Sequence, residues 1–333
     1  MNEDYSEAEP VETIAAYKDR SGGLKVFGVL TILLGCLCGL FVPLIFVGQY
    51  AAAAQGRGGP QPNPWMGAAI YGVMAVVLVW MGIGSVMARR WARALLLIFS
   101  WGGLLVGIVS VFMMTLLMPK ILAGMSVAGA NGRQPLPPGT MTGIVVGMIG
   151  FIGFFFVLLP AVWVFFYGSR NVKATVEAHD PVIRWTDACP LPVLAASIWL
   201  MFSVLALLIM PFTGHCVLPF FGIFLTGAPA IALSLAYLGV FICAAWLLYR
   251  LREMGWWLTV IGYCVMMASS LVTFSRSDIA VMYRLMGYSQ GQLDQLQATG
   301  MLGAFHNPWI WVGAMAPFVA YLLFIKRYFR KRG

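Results

Sequence analysis

The chain has 333 residues, of which 61% are hydrophobic and only 10% are charged, and its mean hydropathy is +0.86. Soluble domains are roughly 45–50% apolar and about 25% charged, so a water-soluble fold would leave much of this apolar surface in water. The 37 Gly and 18 Pro follow no repeat, which argues against a fibrous chain. The composition therefore predicts a protein that crosses a membrane several times.

Long segments without charged residues recur along the chain, and a helix needs roughly 20 apolar residues to cross a bilayer. The predicted spans are 26–47, 65–87, 94–118, 143–167, 191–212, 228–249, 256–274 and 308–325. Strands of a membrane barrel would alternate apolar and polar residues, whereas segments such as 94–99 are apolar throughout. The sequence predicts an all-α polytopic bundle of about eight transmembrane helices. Segment 220–226 either extends the sixth helix or forms a re-entrant segment.

Lys and Arg mark alternate ends of these spans, and cytoplasmic loops of membrane proteins are enriched in both. Most of the 21 Lys and Arg lie in the N-terminal segment, the second, fourth and sixth loops and the C-terminal tail. No Asn-x-Ser/Thr acceptor site occurs, which fits a bacterial membrane. We expect a multi-pass protein of the bacterial plasma membrane with both termini in the cytoplasm. The expected divisions are a cytoplasmic segment 1–25, a four-helix half 26–167, a cytoplasmic linker 168–190, a second four-helix half 191–325 and a basic tail 326–333.

Two basic turns resemble each other and suggest an internal duplication. Arg89 precedes Trp91 at the start of the third span, and Arg252 precedes Trp256 at the start of the seventh. Two four-helix halves would share one orientation and be related about the membrane normal. The alternative is that every basic turn between helices with aromatic ends has this appearance.

The predicted spans contain no Asp, Glu, Lys, Arg or His. Ionisable groups in a membrane cost about 2.5–3.5 kcal/mol each on insertion scales and are kept mainly where ions or protons move. Their absence argues against proton pumping, voltage sensing and haem binding in the bilayer, and we predict no catalytic, cofactor-binding or metal site. The spans do carry serines, whose hydroxyls we expect to bond to their own helix or to a neighbour. These serines are Ser100, Ser110, Ser197, Ser203, Ser234, Ser269 and Ser270.

Pairs of glycines four residues apart lie on one face of three spans, where a neighbouring backbone can approach closely. The pairs are Gly35 with Gly39, Gly103 with Gly107, and Gly143 with Gly147. We expect packing seams inside the bundle rather than dimer interfaces. Prolines inside spans, which are Pro43, Pro160 and Pro317, predict kinks.

The fourth loop concentrates polar side chains outside the spans. Glu177, His179, Asp180 and Asp187 could supply oxygen and nitrogen ligands to a metal ion, but their spacing matches no specific metal site. The structural alternative is that Asp187 faces Arg184 and the loop serves as a connection between spans. We favour this alternative.

The loop continues as Arg-Trp-Thr-Asp-Ala-Cys-Pro-Leu-Pro over residues 184–192. This run resembles a linker in uncharacterised bacterial multi-pass membrane proteins. The resemblance covers the linker and implies a membrane protein of that kind, without implying an activity.

The external loop 276–307 is long enough to carry structure of its own. Ile279 and Leu285 belong to an apolar stripe at helical spacing, and Leu293 and Leu296 follow in a second one. The pattern predicts two short amphipathic helices that lie on the membrane or cap the bundle. A cap that binds a partner or a substrate is the functional alternative.

Basic side chains at the span ends are predicted contacts for anionic lipids, at about 1 kcal/mol each. They are Arg89, Arg90, Arg93, Arg250, Arg252, Lys326, Arg327 and Arg330. Because these charges follow a membrane interface, the net charge of +9 does not indicate a nucleic-acid partner.

The absence of ionisable residues in the spans and of a recognisable catalytic or metal site favours a non-enzymatic scaffold, accessory or regulatory subunit without a cofactor. Its expected partners are the lipid bilayer and another membrane protein. Two alternatives stay open. One is a facilitator for a small neutral or apolar substrate, which requires a polar cavity near the kinked helices. The other is an interfacial lipid-modifying enzyme that uses His215 or His306 with Asp278 or Asp294.

Overall fold

The computed structural model describes residues 17–54, 64–129, 138–209, 216–298 and 308–329. Its helices are α1 (Ser21–Ala54), α2 (Pro64–Val86), α3 (Arg90–Gly129), α4 (Pro138–Ile152), α5 (Leu159–Gly168), α6 (Arg170–His179), α7 (Leu191–Ile209), α8 (Gly227–Tyr249), α9 (Glu253–Arg276), α10 (Ile279–Leu285), α11 (Gln290–Ala298) and α12 (Pro308–Ile325). Strands β1 (Val217–Phe220) and β2 (Ile223–Thr226) form an antiparallel hairpin between α7 and α8.

Seven helical segments within the described residues are long and apolar enough to cross a membrane. They are Ser21–Ala51, Gly67–Val86, Arg90–Thr115, Val145–Gly168, Leu191–Ile209, Gly227–Tyr249 and Glu253–Arg276. The eighth predicted span coincides with α12, which contains no charged residue. The expected fold class, an all-α polytopic bundle of membrane helices, is confirmed.

The third helix is longer than its predicted span. We expected the span to end at residue 118, but α3 continues through Pro119 and Lys120 to Gly129. A charged residue marks where a chain leaves the hydrocarbon, whereas a helix ends only where its backbone hydrogen bonds end. Residues 130–137, which follow α3, lie outside the described residues.

The described core has two main clusters of buried side chains. The first joins α1, α2, α3, α5 and α6, and the second joins α7, α8, α9 and α12. A polar contact lies inside the first cluster, where the Ser85 hydroxyl donates to the Leu24 carbonyl at 3.0 Å and lies 2.7 Å from the Tyr167 hydroxyl. One hydroxyl therefore ties three membrane helices together.

Two turns of the chain have the same hydrogen-bonding pattern. After α2, Ala88 and Arg89 donate to the carbonyls of residues 85 and 84, and after α8 Leu251 and Arg252 donate to those of residues 248 and 247. Ala88 and Leu251 both have a positive φ, of 51° and 55°. Both turns are Schellman motifs, which normally place glycine at this position. The shared motif is consistent with an internal duplication, which stays a prediction.

Two of the three glycine pairs are packing seams, as expected. A Cβ at Gly35 would lie 2.8 Å from Val79 of α2, and a Cβ at Gly107 would overlap the Phe156 carbonyl oxygen. For Gly143 and Gly147 the expectation stays a prediction, because among the described residues a Cβ at either glycine would meet nothing within 4 Å. Glycine spacing shows that a close approach is allowed, but not that a neighbouring helix is present.

Pro160 distorts the fourth span, as a proline inside a helix is expected to do. It has no N–H to donate to the Phe156 carbonyl, four residues earlier. The preceding residues form a π-helical segment, Gly153–Leu158, in which the Leu159 N–H donates to the Phe154 carbonyl. Gly107 of α3 packs against this distorted turn and makes close contact with the Phe156 carbonyl.

Segment 220–226 does not extend α8, because it forms the turn and second strand of the β-hairpin, whereas the re-entrant alternative stays a prediction. Phe221 and Gly222 form the two-residue turn of the hairpin with φ values of 40° and 104°, which fit a type I′ turn. Ser269 of α9 accepts the Phe221 N–H at 3.1 Å and donates to the Pro219 carbonyl at 3.0 Å, while Thr273 accepts the Gly222 N–H at 2.9 Å. These helix hydroxyls satisfy backbone groups that the short hairpin leaves unpaired.

The two short helices predicted for loop 276–307 are confirmed as α10 and α11. Ile279 of α10 and Leu293 of α11 are buried at 4% and 1% exposure, and Leu296 packs against the cluster that contains Phe274 and Ile279. Leu285, by contrast, is 43% exposed. The buried part of each stripe favours a cap on the bundle over a position on the membrane surface alone. Residues 299–307, including His306, lie outside the described residues.

Candidate functional site

Contacts between distant segments bring most of the basic residues to one end of the bundle. The Arg20 N–H donates to the Thr175 hydroxyl at 3.0 Å, and the Tyr249 hydroxyl donates to the Trp185 carbonyl at 3.0 Å. The Lys326 ammonium lies 4.5 Å from the ring centroid of Trp256. We call residues 17–20, 87–93, 169–190, 249–256 and 326–329 the basic end.

Helix α6 is amphipathic and packs its apolar side onto this end. Ser169 precedes it, and its side chain accepts the Val172 N–H at 3.3 Å, which is the hydrogen bond expected of an N-cap. Val172, Thr175 and Val176 are buried, whereas Lys173 and Glu177 point outward and form an ion pair at 3.8 Å. The apolar side of α6 therefore packs on the bundle, and its polar side is exposed.

Asp180, directly after α6, is the most buried charged side chain of the basic end, with 2% exposure. Its Oδ1 lies 3.0 Å from Nη2 of Arg184 and 3.9 Å from Nη1 of Arg89, and its Oδ2 accepts the Arg90 N–H at 3.3 Å. The Arg90 guanidinium also donates to the Asp180 carbonyl. One carboxylate therefore connects the linker to the first turn of α3, where the helix dipole also favours a negative charge.

The surroundings of Asp180 act on its ionisation in two directions. The hydrogen bond from Arg184 lowers the pKa of Asp180 most, while burial raises it. The Arg90 N–H and the charges of Arg184 and Arg89 lower it further, and the net pKa is below the ordinary value of an aspartate. The carboxylate is therefore ionised at neutral pH.

Asp187 and Arg184 make the predicted contact, but it involves the backbone of Arg184 and not its guanidinium. Asp187 accepts the backbone N–H of Arg184 at 3.0 Å, while the Arg184 guanidinium contacts Asp180. His179 uses its Nδ1 in a hydrogen bond with the Thr175 carbonyl oxygen, at 2.8 Å. In the described parts of the chain, no three His, Cys, Asp or Glu side chains are close enough to hold a metal ion.

A cleft of about 510 Å³ lies between the start of α3 and the linker segment 170–191. Its polar lining consists of Arg90, Arg93, Lys173, Glu177, Thr186 and Asp187, and its apolar lining of Ala94, Val176, Ile183, Cys189 and Leu191. Nε of Arg93 and Oγ1 of Thr186 are buried and have no hydrogen-bond partner among the described residues. The cleft therefore contains donors that the described chain does not satisfy.

The remaining predicted lipid contacts lie outside this cleft. Three of them stack on aromatic rings, with centroid distances of 5.3 Å for Arg250 over Trp246, 4.5 Å for Lys326 over Trp256 and 3.9 Å for Arg327 over Phe324. Arg252 is exposed, and Arg330 lies outside the described residues. Of the eight predicted residues, only Arg90 and Arg93 line the cleft, and Arg89 reaches Asp180 beside it.

Sequence reasoning missed two polar members of the cleft, Lys173 and Thr186. Lys173 stands on the outward side of α6, and Thr186 lies in a short 3-10 turn, Trp185–Asp187. The amphipathic spacing of residues 170–179 was a usable signal for the position of Lys173. No local pattern marks Thr186, since its position depends on how the linker folds against α3.

Fold and site together define a polytopic α-helical membrane protein with a basic end fixed by a buried carboxylate. In comparisons with known proteins, no family model, curated protein or solved structure matches the chain.

Proposed function

We propose that the protein is a non-enzymatic accessory subunit, a scaffold or a regulator, in a bacterial plasma membrane. Its basic end faces the cytoplasm, with both termini on that side. The enrichment of Lys and Arg in the segments of this end supports the orientation. The resemblance of residues 184–192 to linkers of bacterial multi-pass proteins supports the setting.

The observation that carries the proposal is an exposed apolar tip beside a carboxylate bonded to the bundle. Val182 and Ile183 are 56% and 77% exposed, and they lie between Asp180, which accepts the Arg90 N–H of α3, and Arg184, which pairs with Asp180 at 3.0 Å. Trp185, which follows Arg184, is 48% exposed. Apolar side chains that a polar network holds out from a surface are typical of contact sites for another protein. The partner that fits is an integral membrane protein, because the tip lies beside span ends.

The described spans give less support to a facilitator. The buried hydroxyls of Ser100 and Thr259 donate to carbonyls of their own helices, and that of Ser197 donates to the Ala245 carbonyl of α8. Hydroxyls engaged in this way connect helices and do not form a polar path. The histidines of the enzyme alternative, His215 and His306, lie outside the described residues.

The test is photo-crosslinking in living cells. A photoreactive amino acid is placed at Val182, and at Val76 of α2 as a control that is 70% exposed on a membrane helix. We expect a discrete adduct with one integral membrane protein from position 182 and only lipid adducts from position 76. The adduct formed from a probe at Trp185 should disappear in a Val182→Asp variant that still elutes as a folded protein. Lipid adducts alone from positions 182 and 185 would contradict the proposal.

A further inference from the structure

Two polar atoms in the cleft of the basic end have unused hydrogen-bonding capacity. Thr186 is 3% exposed, and its Oγ1 has no partner within the described chain. Nε of Arg93 is also buried and has no hydrogen-bond partner among the described residues. A buried donor without an acceptor is costly, so such atoms in native proteins usually meet a water or a ligand. Both residues line the cleft, which places the missing acceptor there.

The charges of the cleft favour an anion as that acceptor. Arg90, Arg93 and Lys173 stand against Glu177 and Asp187, so the lining carries one net positive charge. Two of the cations are engaged, because the Arg90 guanidinium donates to the Asp180 carbonyl and the Lys173 ammonium lies 3.8 Å from Glu177. Arg93 is the cation whose Nε–H has no acceptor among the described residues, so it is the donor available to a ligand.

We propose that the cleft binds a phosphate ester. A phosphate group presents several acceptor oxygens, which suit a guanidinium and a hydroxyl together better than a single carbonyl would. The volume of about 510 Å³ exceeds that of a bare phosphate and lies in the range of small-molecule sites. Ala94, Ile183 and Leu191 supply an apolar wall for the carbon part of the ester.

Two sources carry this chemistry, a lipid headgroup and a soluble phosphate ester. Ala94 and Leu191 stand near the starts of the membrane helices α3 and α7, so a headgroup can reach the cleft from the bilayer surface. A soluble ester can enter from the aqueous side, because the side chains of Lys173 and Glu177 in the lining are 59% and 44% exposed. The experiment separates the two sources.

The full-length protein is purified in neutral detergent as wild type, Thr186→Val, Arg93→Gln and Arg170→Gln. Arg170 is exposed at the same end, does not line the cleft and is not one of the predicted lipid contacts, so it is the matched control. In one arm, glycerol 3-phosphate is titrated while the unfolding temperature is recorded. In the other arm, nanodiscs contain phosphatidic acid or phosphatidylcholine, and native mass spectrometry counts the retained lipid.

We expect at least one arm to show saturable binding to wild type and to Arg170→Gln. Binding to Thr186→Val should be about tenfold weaker, as the loss of a charge-assisted hydrogen bond predicts. Saturation by glycerol 3-phosphate identifies a soluble ester, and selective retention of phosphatidic acid identifies a headgroup. Thr186→Val removes an unpartnered hydroxyl at constant shape, so it should fold even if Arg93→Gln does not. Binding in neither arm, or equal binding in wild type and Thr186→Val, overturns the proposal. Val182 does not line the cleft, so the partner test above can fail without affecting this one.

Discussion

The carboxylate of Asp180 accepts a hydrogen bond from Arg184 at 3.0 Å while only 2% of its side chain is exposed. The same carboxylate accepts the Arg90 N–H from the first turn of α3. The two donors are far apart in the chain, so this side chain fixes the linker to a membrane helix. Loss of the charge should therefore affect the whole basic end.

We predict that Asp180→Asn lowers the free energy of unfolding by about 2–3 kcal/mol at pH 7, the range expected for a buried hydrogen bond between charged groups. The folded-state pKa of Asp180 is lowered, so its contribution is complete above pH 3.8 and is lost as the pH falls through the folded pKa. The unfolding temperature of wild type should thus fall more steeply below pH 4 than that of Asp180→Asn.

The control for this prediction is Glu177→Gln, which removes a more exposed carboxylate from the same segment. Exposed pairs contribute about 0–1 kcal/mol, so this variant should unfold near wild type. Parallel acid profiles for wild type and Asp180→Asn would show that Asp180 is not the group responsible.

Gly107 offers a test of the seam between α3 and the π-helical segment. A Cβ there would clash with the backbone carbonyl of Phe156, which cannot rotate away as a side chain could. We expect Gly107→Ala to cost about 1–3 kcal/mol in unfolding experiments, as overpacking does. Gly103→Ala would meet Pro160 at an ordinary 3.4 Å, and Gly147→Ala would meet nothing within 4 Å among the described residues, so both should unfold like wild type. A similar loss in all three would indicate a general effect of replacing glycine.

The fold class was predictable because a bilayer excludes charge, and the positions of charged residues therefore outline the spans directly. Element ends were less predictable, since charge marks a membrane boundary and not a helix end, as α3 shows. The β-hairpin was missed because its residues are apolar on both sides of Gly222, which is also the pattern of a buried helix. Its turn is bonded to Ser269 and Thr273, about 50 residues later in the chain, and no local pattern marks these contacts.

The cleft was not predicted from the sequence, which selected Asp180, Arg184 and Asp187 only as polar residues of the loop. It paired the Arg184 side chain with Asp187, whereas the structure pairs it with Asp180. Both carboxylates lie within four residues of Arg184, so spacing does not decide between them. The contact with Arg90, 90 residues away in the chain, holds Asp180 at this place. Thr186 was not predictable for the same reason.

The hairpin should depend on the hydroxyl of Ser269. This hydroxyl makes two hydrogen bonds to hairpin backbone groups, so Ser269→Ala should cost about 1–3 kcal/mol, the price of leaving buried groups unpaired. Amide hydrogen exchange at Phe221 should be faster in Ser269→Ala than in wild type. Ser270→Ala is the matched control, because the Ser270 hydroxyl bonds to Met266 of its own helix. Unchanged exchange at Phe221 in Ser269→Ala would contradict the assignment.

Cys189 provides a readout of how tightly the linker is held. Burial raises the pKa of the Cys189 thiol to about 11, and the residue is 5% exposed. The thiolate is the reactive form, so with this pKa only about one thiol in a thousand is reactive at pH 8. In a variant with the other five cysteines replaced by serine, we expect maleimide to label Cys189 slowly at pH 8 and rapidly after unfolding in SDS.

The same variant with Asp180→Asn should be labelled several-fold faster at pH 8, since opening of the linker exposes Cys189 without global unfolding. A single cysteine placed at the exposed position Arg252, on a background without Cys189, gives the fast reference rate. If Asp180→Asn leaves the labelling rate of Cys189 unchanged while it lowers global stability, the carboxylate does not hold the linker locally. A labelling rate that rises only as much as the rate of global unfolding would lead to the same conclusion. Local opening of the linker requires labelling that is faster than global unfolding allows.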